Sequence, residues 1–466
     1  MFRLMFCVVV CLVLISGQAY SQEIMTIKKA LEVAVNNYPG IKAIREDTTI
    51  KEMEKTEAII RMLPKVKLTY GYYRLNEVPA LQIGEDLYLP VLNDPTPPRF
   101  DSTGNIALDW DTRKPLFAYI PDQGISVGSQ DNHSLQFEVT QVLFAGGSLY
   151  QSYQMAKNNI QTSDLETQKA IRELKVKVIE AYYGVIASRQ GVDVAKSGVA
   201  SVQGHLNQAM AFYKAGVIAK NDVLQAQVKL AESEQNLITI ENLASKAESG
   251  LNITLARPIS EPVIIDSDIE VPPIEETLEE AIDISKKNRQ EIKELEIYMD
   301  TTLKAIKAAK GGYAPRIAAT YAYKRSGPDI EIKDDQWTIG VGLEWTLFGP
   351  LLEGGTAYTN VAKARAKQSQ VLLEKQRKTD EVTLEVKDAY QTAFASKAKM
   401  EVGIKAIDQA EENLRIQKHR YNLQACTSFD VIDAQTMLDK SKIDYITTKA
   451  EYVKSIAKLK AAMGIL

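Results

Sequence analysis

Residues 337–347 read Trp-Thr-Ile-Gly-Val-Gly-Leu-Glu-Trp-Thr-Leu. Trp337, Ile339, Val341, Leu343, Trp345 and Leu347 take every second position, and Thr338, Gly340, Gly342, Glu344 and Thr346 fill the places between. A period of two with β-branched and aromatic residues on one side predicts a strand with one apolar and one polar face. The same alternation runs through Val66, Leu68, Tyr70 and Tyr72, and through Ile317, Ala319, Tyr321 and Tyr323. It also runs through Leu135, Phe137 and Val139, where the phase slips near Gln141. Strands are therefore expected at about residues 65–75, 134–144, 315–325 and 336–348. A soluble antiparallel sheet with one wet face alternates in the same way. Strands of about ten residues, aromatic residues towards both strand ends and an export signal favour an apolar face that meets lipid.

The export signal is Arg3 followed by the apolar run 4–15 and then Ser16, Gly17, Gln18 and Ala19. This pattern predicts a secretory signal peptide over residues 1–21, cleaved after Ala19 or Ser21, with a core too short to span a bilayer. Cys11 follows Val8, Val9 and Val10, which lack the small residues that lipid attachment requires. Cys7 and Cys11 leave with the signal, so Cys426 stands alone and no internal disulfide forms. Over 466 residues, the 45% hydrophobic and 25% charged content resembles a soluble chain, as does a β-barrel, whose alternation dilutes its hydropathy. The formal net charge of -4 argues against a nucleic-acid partner.

The mature chain is written twice. Ala181, Tyr182, Tyr213, Asp222, Val223, Ala226, Gln227 and Leu230 recur as Ala389, Tyr390, Tyr421, Asp430, Val431, Ala434, Gln435 and Leu438, each 208 positions on. Asn37, Ile41, Pro64, Tyr70 and Tyr72 recur as Asn288, Ile292, Pro315, Tyr321 and Tyr323, 251 positions on. The 43-residue difference is an insertion in the first copy, and it falls in the Pro-, Gly- and Asn-rich loop 76–132, read as having no core of its own. Residues 22–256 form the first repeat, 257–275 a Pro-rich linker and 276–466 the second repeat. Each repeat reads helix, strand, strand, helix, so the fold class is α+β.

Helical periodicity covers residues 148–256 and 354–463, each broken by one turn, at 214–221 and 422–428. A helix of such length extends roughly 100 Å. Val223, Leu230, Leu237, Ala244 and Leu251 recur every seven residues, as do Val431, Leu438, Tyr445 and Tyr452. A heptad period predicts helices that supercoil in pairs.

Four strands cannot close a barrel, and in hydrocarbon an open sheet leaves two edges of unpaired peptide groups, each costing several kcal/mol. Other copies of the chain must supply the missing partners. Two copies would make a narrow barrel, whereas three would leave a water-filled lumen lined by small or polar residues such as Thr69, Gly71, Thr320, Thr338 and Gly342.

The doubled unit, the turn Tyr213-Lys214-Ala215-Gly216-Val217-Ile218-Ala219-Lys220-Asn221-Asp222 and its echo at 421–435 resemble the TolC-type outer-membrane efflux protein family across essentially the whole mature chain. The resemblance implies a homotrimer whose 12-stranded transmembrane barrel continues into a periplasmic α-helical barrel. It implies a passive exit duct in the bacterial outer membrane, working with a periplasmic adaptor and an inner-membrane transporter in efflux or type I secretion. An exported coiled-coil structural or adhesive protein without a pore is the competing reading.

The helix-to-helix turns are expected at the periplasmic mouth. Asp430 and Asp433 resemble the acidic ring of the family's constriction, and in a trimer would concentrate negative charge. Asp430 could equally cap the returning helix, and Asp222 repeats its position. Tyr421 and Tyr213 flank the turns, and either latch neighbouring helices through their hydroxyls or simply pack there. The resemblance assigns the gate to Asp430, Asp433, Tyr421 and Asp222, and adaptor contact to Gly216, Val217, Leu423 and Gln424. Gly216 suits a turn needing positive φ, while its counterpart is Gln424, so adaptor contacts at the two turns are expected to differ. The family's basic residue near the position of Cys426 is missing, which puts a salt-bridged closed state in question.

No catalytic, cofactor or metal residue is expected. Gly124-Ile125-Ser126-Val127-Gly128 matches a nucleophile-elbow pattern but lacks the strand before and the helix after that the elbow needs. His133, His205 and His419 have no metal-ligand spacing, and the latter two sit within long polar helices.

Overall fold

The computed structural model describes residues 24–81, 87–90, 117–120, 125–126, 128–329, 334–345 and 355–466. The predicted signal peptide and residues 346–348 of the last expected strand lie outside them. Two compact units divide the chain: a helical unit, residues 1–56, 151–306 and 361–466, and a sheet unit, residues 57–150 and 307–360.

The sheet unit contains β1 (Lys65–Arg74), β2 (Asp131–Ala145), β3 (Arg316–Gly327) and β4 (Asp334–Glu344) in that spatial order. Every neighbouring pair is antiparallel. The join at the centre is between repeats, because β2 of the first pairs with β3 of the second. Register puts Leu68, Phe137, Tyr323 and Trp337 on one rung, and Val66, Val139, Tyr321 and Ile339 on another. Paired residues share a face, so one face is apolar along these rungs, with Arg74, Asp131, Arg325 and Asp335 beyond them, and the other carries Lys67, Glu138, Ala322 and Thr338. The phase slip expected near Gln141 is a β-bulge between Val142 and Phe144. Leu143 is the extra residue, and it returns Phe144 to the apolar face opposite Ile317.

The expected coreless loop at 76–132 carries secondary structure of its own. Ala80–Leu81 pairs with Ile125–Ser126, and Leu87–Pro90 pairs with Phe117–Ile120. The β-forming runs Leu87-Tyr88-Leu89 and Phe117-Ala118-Tyr119-Ile120 prevailed locally over the surrounding prolines. Where β2 ends, Gly146 has φ +60°, and a Cβ there would collide with the Gly311 backbone, so only glycine fits.

The helical unit contains α1 (Ile27–Asn37), α2 (Pro39–Ile60), α3 (Ser148–Lys214), α4 (Lys220–Thr254), α5 (Leu278–Asn288), α6 (Gln290–Lys310), α7 (Gly355–Asn422) and α8 (Ser428–Met463), apart from the ends of α2, α3, α6 and α7 that fall in the sheet unit. No described helix is long and apolar enough to cross a membrane. Its main core gathers Val178, Tyr182 and Val185 of α3, Leu251 of α4, Val386 of α7 and Tyr452 of α8. The linker is part of this core. Val263, Ile265 and Ile269 are buried, Tyr182 donates its hydroxyl hydrogen to Met25 O, and Tyr452 does so to Pro272 O.

A buried ion-pair network closes the same region. Glu291 accepts from Arg172 at 2.7 Å and from Arg289 at 3.0 Å, and Arg289 also reaches Glu385 at 2.8 Å. Burial alone would raise the Glu291 carboxyl. Its own backbone N–H and the guanidinium charges of Arg289 and Arg172 outweigh burial and hold it below the usual glutamate value.

Candidate functional site

The turns joining α3 to α4 and α7 to α8 have one backbone design. Gly216 N–H donates to Tyr213 O and Val217 N–H to Phe212 O, both at 2.9 Å. In the second repeat Gln424 N–H donates to Tyr421 O at 3.0 Å and Ala425 N–H to Arg420 O at 2.8 Å. Gly216 has φ +73° and Gln424 φ +58°, so glutamine occupies the left-handed position that glycine holds in the first repeat. The turns differ in their side chains and share their backbone path. Gly216, Val217, Leu423 and Gln424 are all exposed.

The returning helices begin differently. The cap of α8 is Thr427, whose N–H and hydroxyl donate to Asp430 Oδ2 at 2.8 Å and 2.7 Å, while Asp430 N–H donates back to Thr427 Oγ1 at 3.3 Å. Asp430 is therefore the third residue of a capping box and not the cap itself. The backbone and hydroxyl bonds from Thr427 hold its carboxyl below the usual aspartate value, helped by the charge of Arg420. Asp222 has the equivalent place on α4, but there the cap is Ala219, which has no side-chain oxygen to complete a box. Asp433 lies one helical step further along α8 and is exposed. A basic group does stand at this turn beside Cys426: Arg420 donates to Ala425 O at 3.0 Å.

The two tyrosines separate. Tyr213 is exposed, whereas Tyr421 is buried between His205 and Phe212, at ring-centroid distances of 4.8 Å and 5.7 Å. Burial, followed by the charge of Asp222, raises the Tyr421 phenol above its ordinary value, and its hydroxyl has no hydrogen-bond partner among the described residues.

His205 was missed by reading α3 as a polar helix. It is buried and its Nε2 lies 2.7 Å from Ser428 Oγ, the first residue of α8. Gly198, Val202, His205 and Ala209 are all buried and alternate by four and three residues, a heptad phase that could have revealed it. The contact continues as a polar seam. Lys418 donates to Ser201 at 3.3 Å, Ser201 to Gln435 at 2.5 Å, and Gln435 to Asp439 at 2.8 Å. Beside it, α4 and α8 enclose a cleft of about 540 Å³ lined by Leu224, Val228, Phe429, Ile432, Asp433 and Thr436. No cluster of metal-ligating residues occurs among the described residues.

An apolar sheet face whose edges have no strand partner among the described residues, and long helices joined by compact turns, are the marks of a membrane channel protomer. A profile described as outer membrane efflux protein matches residues 93–256 and 281–465. The chain belongs to that family, and it is an outer-membrane channel with a periplasmic extension. Family members are channels, not enzymes. The fold is similar to the CmeC outer membrane channel of Campylobacter jejuni, at 14% identity and TM-score 0.69, covering 94% of this chain and 85% of that one. It is similar to the outer membrane protein VceC of Vibrio cholerae, at 14% identity and TM-score 0.69, covering 94% and 96%. The open state of the Neisseria gonorrhoeae MtrE channel aligns at 14% identity and TM-score 0.70, covering 94% and 88%. Comparison with curated proteins gives no significant match.

Proposed function

We propose that this chain assembles as a homotrimer into the passive exit duct of a tripartite efflux or type I secretion system. The carrying observation is the exposed apolar sheet face, on which Leu68 and Ile339 are 69% and 70% exposed, bounded by edges of β1 and β4 that have no strand partner among the described residues. In water such a face favours association, and in a bilayer it is the lipid-facing surface. A pore-free coiled-coil protein has no use for it.

The turns form the mouth at which a periplasmic adaptor docks, and the inner-membrane transporter beyond it supplies the energy. Exposed Val217 and Leu423, and Leu224, Val228 and Phe429 in the mixed polar and apolar cleft, offer the adaptor a surface. Asp430, Asp433 and Asp222 ring the aperture with negative charge, and Tyr421 packs behind them.

Purified protein in a planar bilayer should show single-channel conductance and run on gels as a heat-sensitive oligomer. A monomer that stays in solution without detergent would refute the reading.

A further inference from the structure

We infer that β1 of a neighbouring copy seats on the free edge of β4 in one register, with Lys65 opposite Glu344 and Arg74 opposite Asp335, and that these end charges select it. The inference rests on the trimeric-duct reading and adds to it which residues meet.

Strand direction and facing limit the choices. The three ladders are antiparallel, so β4 runs opposite to β1 and head-to-tail joining of copies continues the pattern. The apolar positions of β1 are even-numbered (Val66, Leu68, Tyr70, Tyr72) and those of β4 odd-numbered (Trp337, Ile339, Val341, Leu343). Apolar must meet apolar, so only every second register is allowed, because a slip of one residue would turn a whole strand inside out.

The chain's own sheet then supplies the stagger. Following the rungs, Lys65 is level with Thr140, Thr320 and Gly340, so β4 continues four residues past β1, to Glu344. The step of β4 past β1 at this end is the stagger of a tilted barrel. Setting the next β1 flush against β4 makes the step four residues per subunit, and four strands at about 4.8 Å spacing then tilt by about 35°. A step of two residues gives about 19°, below the usual range of roughly 35–45°, while a step of six gives about 46°. The six-residue step sets Arg74 against Trp337 and leaves Lys65 beyond Glu344.

Charge decides between the remaining registers. Within one chain Arg74 pairs with Asp131 at 3.4 Å, Asp335 lies opposite Arg325, and Glu344 lies opposite Arg316. In the flush register, Arg74 falls between Asp131 and the neighbouring Asp335, and Glu344 falls between Arg316 and the neighbouring Lys65. Signs then alternate across the junction at both ends of the ladder, which cross-strand pairing favours. Tyr72 meets Trp337, which faces Tyr323 on its other side, so the aromatic row continues from copy to copy.

The register places Thr69 opposite Gly340 of the next copy. Within one chain these residues are three strand spacings and four residues along the strand apart, about 20 Å, too far for a disulfide. In a Cys426→Ser background, Thr69→Cys with Gly340→Cys should give covalent dimers and trimers on non-reducing gels that revert with reductant. Lys67→Cys or Gly71→Cys combined with Gly340→Cys tests the slipped registers and should give little product. Preferential crosslinking of a slipped pair overturns the register, and so does absence of all three crosslinks in protein that still conducts. Failure of the duct reading looks different, because the unmodified protein would then form no membrane oligomer. As a second measurement, Lys65→Glu and Glu344→Lys should each lower the temperature at which the oligomer dissociates in detergent, and their combination should recover part of the loss. Additive losses overturn the assignment.

Discussion

Gln424 has φ +58° where the equivalent position in the first repeat is Gly216. A side chain in the left-handed region costs about 1–2 kcal/mol, and glycine gives back part of that through the freedom it adds to the unfolded chain. Gln424→Gly should therefore stabilise by about 0.5–1 kcal/mol, whereas Gly216→Ala should destabilise by about 1 kcal/mol. Paired thermal melts in one detergent would check both signs. Glu291 is the opposite kind of residue, because its carboxylate bridges two nearly buried guanidinium groups, the side chains of Arg172 and Arg289 being 6% exposed. Glu291→Ala leaves Arg172 without its carboxylate and Arg289 with Glu385 alone, and should cost about 3–5 kcal/mol, read as a lowered denaturation midpoint.

Between elements, the contact of α3 with α8 near the turns is polar where the heptad pattern would admit an apolar seam. Among its titratable groups, which include Asp439 and Lys418, His205 is the one whose ordinary range spans about pH 5–8, and burial, with the charge of Lys418, holds its imidazole below the usual histidine value. A histidine depressed on folding is neutral in the folded state, so its contribution is complete above the unfolded pKa of about 6.5 and is lost as pH falls below that. Acidification from pH 7.5 to 5.5 should lower the melting temperature, and His205→Gln should flatten this dependence. An unchanged pH profile in the variant would remove His205 from the effect. The sequence showed the helices and their heptads, but not which helices pack together. His205, Ser201, Gln435 and Asp439 lie on helices from different repeats, more than 200 residues apart, and local periodicity carries no information about such partners.

At the scale of the whole molecule the proposed acidic mouth would be a collective feature, since an aspartate counted once in the chain is counted three times in the proposed ring. Asp433→Asn tests this better than Asp430→Ala, because Asp430 also completes the capping box of α8. Cation preference in bilayer recordings should weaken in Asp433→Asn, and unchanged selectivity would exclude it from the aperture.

The sequence by itself determined the doubled unit, the two-residue period of the sheet and the seven-residue period of the helices, because each is a spacing along one chain that the backbone geometry of strand or helix imposes. From those spacings it also followed that the chain cannot complete its sheet alone. Only the tertiary structure decided that β2 meets β3, that Leu143 absorbs the phase slip, that the linker is core, and that Tyr421 is buried while Tyr213 is not. These depend on which surfaces come together after long separations in sequence, and two copies with the same pattern acquire different neighbours once they share one fold.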